Sequence, residues 1–187
     1  MAKLSVFNSV SMDGYFTGAE GDLGWAHRVP QDAEWAAFVG GNASGGGPLL
    51  FGRVTYDMMA SYWPTPAAAE QNPGVAKHMN SLPKFVFSKS LKVSPWQNAT
   101  VVSGDLVGEV QRMKKESIED MVILGSGSIV AQLTQAGLID AYQFVVVPVV
   151  LGAGRTMFEG VTSQPKLKPT KTRTFGNGNV VWWYEKA

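Results

Sequence analysis

The chain has 187 residues, of which 45% are hydrophobic and 17% are charged, and its formal net charge is +1. This length and composition are typical of one globular domain, which we take to span residues 1–187. The chain contains no block of five like charges, which argues against binding to nucleic acid or to an anionic membrane surface.

The absence of cysteine excludes disulfides and thiolate nucleophiles and is consistent with a reducing cytoplasm. The first ten residues do not resemble a signal peptide, and no apolar window reaches the roughly 18 residues of a membrane span.

The strand and helix patterns alternate along most of the chain and predict a largely parallel sheet. Strands rich in Val, Phe, Trp and Tyr are predicted at residues 4–10, 49–51, 85–87, 100–102, 121–124, 142–149, 171–175 and 180–184. Apolar residues three and four apart predict helices at residues 32–39, 54–62, 106–115 and 128–136. Gly137 is typical of a helix C-cap, and Asn177-Gly178 predicts a hairpin that makes the last two strands antiparallel.

Three long segments without periodicity are predicted as loops. They are residues 14–27, the glycine-rich residues 40–48, and the Ala/Pro-rich residues 63–73. Loops of this length in a compact domain are usually lids, binding loops or disordered connections. For residues 40–48 we expect a mobile connection.

Two apolar strands each run into a glycine-containing turn that opens a predicted helix, at Gly52 and at Gly125. A helix N-terminus favours anions because its first N–H groups lack intrahelical partners and because the helix dipole is positive there. A third strand ends in Ser88, Lys89 and Ser90, which supply hydroxyl groups and a cation. Three phosphate sites on one ligand indicate NADP.

Other nucleotide-binding and catalytic motifs do not fit the sequence. The stretch Gly125-x-Gly127 lacks the third glycine and the downstream acid of the Rossmann fingerprint. Residues 47–54 have the spacing of a P-loop but lack its Lys and Ser/Thr. His27 and His78 are the only histidines, so neither a histidine metal site nor a Ser-His-Asp triad is supported, and we expect no metal.

Asp32 opens the first predicted helix and allows two interpretations. If the helix begins at Pro30, the carboxylates of Asp32 and Glu34 suit its positive end, which is a structural role. Alternatively, Asp32, between Trp25 and Trp35, binds the polar edge of a heterocycle, has a raised pKa and helps to protonate the substrate. Glu34 points elsewhere on the same helix.

Five short motifs occur in a specific order along nearly the whole chain: Ser11-Met12-Asp13-Gly14, Gly52-Arg53-x-Thr55-Tyr56, Phe87-Ser88-Lys89-Ser90, Gly125-Ser126-Gly127-Ser128, and Pro148-x-x-Leu151-Gly152-x-Gly154 followed by Phe158. In these motifs the chain resembles the dihydrofolate reductase superfamily. It is more similar to the branch that includes the reductase domain of the bifunctional riboflavin-biosynthesis enzyme. The resemblance implies an α/β fold with an eight-stranded, mostly parallel sheet, an antiparallel C-terminal hairpin and flanking helices.

The resemblance also implies a site for NADPH. Its phosphates are expected at two turns, formed by Gly52, Arg53, Val54 and Thr55 and by Gly125, Ser126, Gly127, Ser128 and Ile129. The adenosine 2′-phosphate is expected at Arg53, Ser88, Lys89 and Ser90, and the nicotinamide at Asp22 and Leu23. Asp32 falls where the folate enzyme carries its pterin-binding acid, so the expected substrate-binding residues are Trp25, Asp32 and Trp35, with Asp32 catalytic.

The expected function is that of an NADPH-dependent reductase, which transfers hydride to a small heterocyclic substrate, pterin- or pyrimidine-like, or to a carbonyl substrate. Folate is not the expected substrate, because the arginine that binds its glutamate tail has no counterpart here. The alternatives are a true dihydrofolate reductase, a 5-amino-6-(5-phosphoribosylamino)uracil reductase, and a non-catalytic nucleotide-binding protein of the same fold. The apolar strand at residues 142–147 and the aromatic C-terminal hairpin suggest a sheet edge that needs covering, and we expect a homodimer.

Overall fold

The computed structural model describes residues 1–27, 33–43 and 46–187. In these residues the strands are β1 (Leu4–Ser11), β2 (Tyr15–Thr17), β3 (Leu49–Gly52), β4 (Lys84–Phe87), β5 (Ala99–Val102), β6 (Met121–Leu124), β7 (Ala141–Val147), β8 (Arg155–Thr156), β9 (Leu167–Thr174) and β10 (Val180–Lys186). The α-helices are α1 (Ala33–Ala43), α2 (Arg53–Tyr62), α3 (Pro66–Gln71), α4 (Pro73–Ser81), α5 (Leu106–Glu116) and α6 (Gly127–Gln135). A short 3-10 helix covers Gly24–His27.

Eight strands form one sheet in the order β5-β4-β3-β6-β1-β7-β10-β9, and β2 and β8 form a separate two-stranded ribbon. Neighbours from β5 to β7 are parallel, whereas β10 is antiparallel to both β7 and β9. The prediction of a mostly parallel sheet of eight strands with an antiparallel C-terminal hairpin is therefore confirmed. β2 and β8 were missed because segments of three and two residues carry no readable alternation.

The central strands are buried on both faces, as their sequence indicates. Leu49, Leu50 and Phe51 are consecutive in β3 and all at most 5% exposed. A parallel sheet with helices on both faces requires such continuous apolar runs. Helices α5 and α6 pack against one face, and α1, α2 and α4 contribute to the apolar clusters on the other face. The carboxyl ends of the parallel strands consequently meet at one edge of the sheet, where their turns open into helices.

The apolar strand at residues 142–147 is not at an edge, contrary to the sequence-based expectation. It belongs to β7, which lies between β1 and β10. The edge on that side is β9, whose exposed Lys168, Pro169 and Lys171 are typical of protected edge strands. The burial of β7 is therefore explained within one chain and gives no support to the expected homodimer.

Two of the predicted loops contain α-helical residues, and the third, residues 14–27, contains the 3-10 helix. Residues 63–73 include α3, and α4 begins at Pro73. Thr65 caps α3 by accepting a hydrogen bond from the backbone N–H of Ala68 at 3.2 Å, and Pro66 occupies the first helical position. Residues 40–43, expected in a mobile connection, form the last turn of α1. Both errors have one cause, because short Ala-, Gly- or Pro-rich segments lack an apolar period.

Two turn predictions are confirmed. Gly137 ends α6 with φ of +67°, and the N–H of Leu138 donates to the carbonyl oxygen of Leu133 at 2.9 Å. Gly178 has φ of +89° in the hairpin between β9 and β10.

Within the described parts of the chain, no helix combines the length and the apolar character that a bilayer crossing requires.

Candidate functional site

The first turns of α2 and α6 lie side by side at the carboxyl edge of the sheet. They are neighbours because α2 follows β3, α6 follows β6, and these two strands pair in parallel. Gly52 is the N-cap residue of α2, and Ser126 is the N-cap residue of α6 with a left-handed backbone. Two helix N-termini, each with a positive dipole end, thus face the same region.

Hydrogen bonds between side chains and backbone join these two turns. The N–H of Gly52 donates to Ser126 Oγ at 2.7 Å, and the N–H of Ser126 donates to Thr55 Oγ1 at 3.0 Å. Thr55 and Ser126 are 9% and 7% exposed. Both residues belong to the predicted phosphate-binding turns, and in the structure their hydroxyl groups join these two turns. The residues that open the two helices, Arg53 and Val54 in α2 and Gly127 and Ser128 in α6, line the same cleft.

Glycine is required at two positions of the second turn. Gly125 has φ of +60°, and a Cβ built there would lie 2.8 Å from Thr55 Cγ2. At Gly127, the first residue of α6, a Cβ would overlap the ring of Phe16. The motif Gly125-Ser126-Gly127 is therefore explained by close packing on both sides of the turn.

The end of β4 forms another wall. Ser88 Oγ accepts hydrogen bonds from the N–H groups of Leu91 at 3.0 Å and Ser90 at 3.3 Å, which fixes a tight turn. Lys89 is exposed within this turn. At the start of α2, Arg53 Nε donates to both carboxylate oxygens of Asp57, at 2.6 and 2.8 Å. Among the described residues no hydrogen bond engages the outer nitrogens of this guanidinium, which can donate to a ligand.

These elements enclose a cleft of about 510 Å³. Apolar side chains of Val54, Met58, Phe87, Val102 and Leu106 contribute to its surface. Val54 is 84% exposed, which is unusual for an aliphatic residue at the start of a helix. The cleft brings together most of the predicted cofactor residues: Leu23, Gly52, Arg53, Val54, Thr55, Ser88, Lys89, Gly125, Ser126, Gly127, Ser128 and Ile129.

Four other predicted residues do not line this cleft. Asp22 is exposed and packs on Gly18, and Ser90 is exposed beside Ser88. Trp25 and Trp35 are only 4% and 8% exposed and belong to the apolar core between α1 and the sheet. A substrate role for either tryptophan stays a prediction. Asp32, the predicted catalytic residue, lies outside the described residues.

Ser11 and Asp13 connect the end of β1 to the segment after β7. Ser11 Oγ donates to the carboxylate of Asp13 at 2.6 Å, and the N–H groups of Leu151 and Gly152 donate to it at 3.1 and 2.7 Å. The Ser11 hydroxyl and these N–H groups lower the pKa of Asp13 to about 2. The first and last sequence motifs therefore meet in the structure.

Sequence reasoning missed Asn8 and Arg155, which also line the cleft. Asn8 Nδ2 lies 3.3 Å from Met157 Sδ. Arg155 begins the short strand β8, directly after Gly154 of the last motif. The sequence could have indicated Arg155, because this residue directly follows a motif that was already recognised.

Among residues 1–27, 33–43 and 46–187, no three His, Asp or Glu side chains are grouped to hold a metal ion.

The sheet order, the flanking helices and the cleft at the carboxyl edge define a dihydrofolate-reductase-like protein. Residues 2–181 match the family described as RibD C-terminal domain, and the chain belongs to this family. The predicted resemblance and fold class are thereby confirmed.

Three comparisons illustrate the similarity. The chain is 28% identical over 172 residues to the uncharacterized protein YyaP of Bacillus subtilis, covering 92% of this chain and 88% of YyaP. A solved Shewanella sp. PV-4 protein whose name refers to riboflavin biosynthesis has 24% identity and a TM-score of 0.77, covering 100% of this chain and 99% of that chain. Dihydrofolate reductase of Enterococcus faecalis, solved with NADP(H), has 13% identity and a TM-score of 0.65, covering 98% and 96%. These two solved structures, both below 25% identity, show the fold that this chain shares.

Proposed function

We propose that the chain is an NADPH-dependent reductase that transfers hydride to a small heterocyclic or carbonyl substrate. The observation that carries the proposal is the convergence of two helix N-termini and two cations, Arg53 and Lys89, on one cleft. A ligand that matches this arrangement carries several anionic groups and an apolar ring system. The relative solved with NADP(H) shares the fold and supports this choice.

The residues of the cleft fit NADPH. Its volume of about 510 Å³ lies within the range of roughly 300–1,000 Å³ that is usual for ligand sites. Gly127 allows the start of α6 to pack under Phe16, and the helix-opening N–H groups there suit phosphate oxygens. The apolar side chains of Val54 and Met58 suit the adenine, and Arg53 and Lys89 suit the adenosine 2′-phosphate.

When bound, NADPH supplies the hydride. The chain itself binds and orients the cofactor. The turns that are linked through Thr55 and Ser126 fix the positions of their hydrogen-bond donor groups before any ligand binds. Leu23 lines the same cleft, where it would lie beside the nicotinamide and help to exclude water from it. The proton for the substrate is assigned to Asp32, on the sequence resemblance alone.

The substrate is proposed as a class. Pterin- or pyrimidine-like rings and reactive carbonyls all accept hydride and a proton, and a solved structural neighbour from Thermotoga maritima is named as a deaminase/5-amino-6-(5-phosphoribosylamino)uracil reductase. Turnover of dihydrofolate would identify a true dihydrofolate reductase. Turnover of 5-amino-6-(5-phosphoribosylamino)uracil would identify a reductase of that compound.

Titration of the purified protein with NADPH and NADH tests the cofactor assignment, and we expect tighter binding of NADPH. Substrate-dependent NADPH oxidation with a panel of pterins, pyrimidines and carbonyl compounds then tests catalysis. Equal affinity for both dinucleotides would contradict the NADPH assignment. Tight NADPH binding without turnover of any panel member would favour a non-catalytic nucleotide-binding protein.

A further inference from the structure

The two-stranded ribbon of β2 and β8 forms one wall of the cleft. In it Arg155 pairs with Thr17 across the strands. Gly154 has φ of +150°, and a Cβ there would overlap the carbonyl oxygen of Thr17, so the close approach of the two strands requires glycine. Two residues earlier, Gly152 is held by the carboxylate of Asp13. The ribbon is therefore anchored at two points immediately before Arg155.

This ribbon lies against the first residue of α6. The ring of Phe16, in β2, covers Gly127 so closely that a Cβ would overlap it. The guanidinium carbon of Arg155 lies 5.9 Å from the centroid of the same ring. Arg155 also lines the cleft together with Ser128 and Gln132 of α6. The guanidinium consequently lies on the side of the cleft where α6 begins.

The charge of Arg155 is only weakly engaged within the chain. Its ion pair with Glu159 has a nitrogen–oxygen distance of 3.6 Å, with side chains 59% and 66% exposed, and such pairs contribute little. Of the cleft residues that the structure describes, three are cationic: Arg53, Lys89 and Arg155. The proposed function uses the first two for the 2′-phosphate, which leaves the anions at α6 without a cation other than Arg155.

We propose that Arg155 binds the pyrophosphate of the dinucleotide at the N-terminus of α6. The inference rests on the proposed function and extends it to a residue outside the phosphate turns. A guanidinium donates two parallel hydrogen bonds to phosphate oxygens, and the N–H groups that open α6 approach from the other side. The pyrophosphate is common to NADPH and NADH, so Arg155 acts on both, whereas Arg53 acts on NADPH alone.

Arg155→Gln, tested against NADPH, NADH and 2′-AMP, separates these roles, because 2′-AMP carries a 2′-phosphate and no pyrophosphate. We expect the variant to bind NADPH and NADH more weakly by the same factor, on the order of tenfold, and to bind 2′-AMP as the wild type does. The matched control is Arg112→Gln, which removes one charge from an exposed ion-pair network on α5, away from the cleft. It should leave all three affinities unchanged.

Arg155→Lys keeps the charge and loses the planar fork, so it should show a smaller loss and provides the test if the glutamine variant does not fold. Affinities of Arg155→Gln equal to those of the control would overturn the inference, and so would a loss confined to NADPH. Both results would leave the proposed function intact. A wild-type protein that binds neither dinucleotide would instead overturn the proposed function together with this inference.

Discussion

The backbone N–H of Ser126 donates a hydrogen bond to Thr55 Oγ1 at 3.0 Å, although the two residues are 71 positions apart in the chain. This bond joins the N-terminal turns of α2 and α6, and the reciprocal bond from the N–H of Gly52 to Ser126 Oγ closes the link. Both hydroxyl groups are largely buried, so each turn depends on the other for its hydrogen-bond partners. The two proposed phosphate turns therefore form one structural unit.

Thr55→Val should lower the free energy of unfolding by about 1–3 kcal/mol, because the buried N–H of Ser126 loses its acceptor. Affinity for NADPH should also fall, because the two turns are no longer held in a fixed position relative to each other. Thr55→Ser, which keeps the hydroxyl, is the matched control and should retain most of both properties. Chemical denaturation and ligand titration measure the two effects. A valine variant as stable as the wild type would show that the bond does not hold the turns.

Arg53→Ala should weaken NADPH binding by roughly 10- to 150-fold and leave NADH nearly unchanged, because charge-assisted bonds to a phosphate contribute about 1.5–3 kcal/mol each. Lys89→Ala should behave in the same way, since both side chains reach the same cleft. Titration with each dinucleotide measures the effect. Arg112→Ala controls for a general loss of positive charge. An equal loss for NADPH and NADH would remove the assignment of Arg53 to the 2′-phosphate.

Asp32→Asn should lower kcat/KM by roughly 10²–10⁴-fold at neutral pH if this carboxyl protonates the substrate, with NADPH affinity almost unchanged. The defect should vary with pH, because the lost group titrates. Glu34→Gln is the control near the same helix start, where the Glu34 carboxylate pairs with Arg173 at 2.8 Å. A helix-start aspartate with only a structural role would instead cost about 1 kcal/mol of stability and little activity. Activity lost in Glu34→Gln and kept in Asp32→Asn would reverse the assignment.

Lys84 makes stability depend on pH in the alkaline range. Its ammonium group donates to the carbonyl oxygen of Leu82 at 2.6 Å and lies 4.6 Å from the ring centroid of Trp96, and burial lowers its pKa from 10.5 to about 8. Between these two pH values the unfolded chain binds the proton and the folded chain does not. The contribution of Lys84 to the free energy of unfolding therefore rises with pH across this interval.

Denaturation of the wild type and of Lys84→Met at several pH values from 7 to 10 measures this contribution as the difference between the two slopes. We expect the wild type to gain stability relative to the methionine variant as pH rises above about 8. Lys171→Met, at a solvent-exposed position of β9, should follow the wild type. Parallel curves for the wild type and Lys84→Met would contradict the lowered pKa.

The homodimer remains a prediction, and the surface best suited to it is aromatic. Trp182 and Phe158 are 40% and 38% exposed and lie on the face of the sheet that carries Phe144. If this face is buried in a dimer, Trp182→Glu should give monomers, whereas Ile118→Glu, at a position 99% exposed, should not. Light scattering at micromolar concentration measures both. A monomeric wild type would contradict the prediction.

The sequence by itself determined the elements whose signals are local. Consecutive apolar residues predicted the doubly buried strand β3, and Gly137 and Gly178 predicted a helix end and a hairpin through their backbone conformations. The strand–glycine–helix pattern also located the two turns, because a helix N-terminus is defined by a few adjacent residues. The motif order was sufficient for the family resemblance. Helix α3 lacked such a signal, since its Ala- and Pro-rich segment shows no clear apolar period, whereas α4 was not predicted although its buried residues Ala76 and Met79 are three positions apart.

Only the tertiary structure decided how distant segments meet. It placed β7 inside the sheet, buried Trp25 and Trp35 in the core, and turned the hydroxyl groups of Thr55 and Ser126 toward each other. It also brought Arg155 to the cleft, through a strand of two residues that pairs with β2. Each of these outcomes depends on which surfaces pack together after the sheet forms. Periodicity and spacing report the conformation of neighbouring residues, whereas the partners of a buried polar atom are set by chain segments far away in sequence.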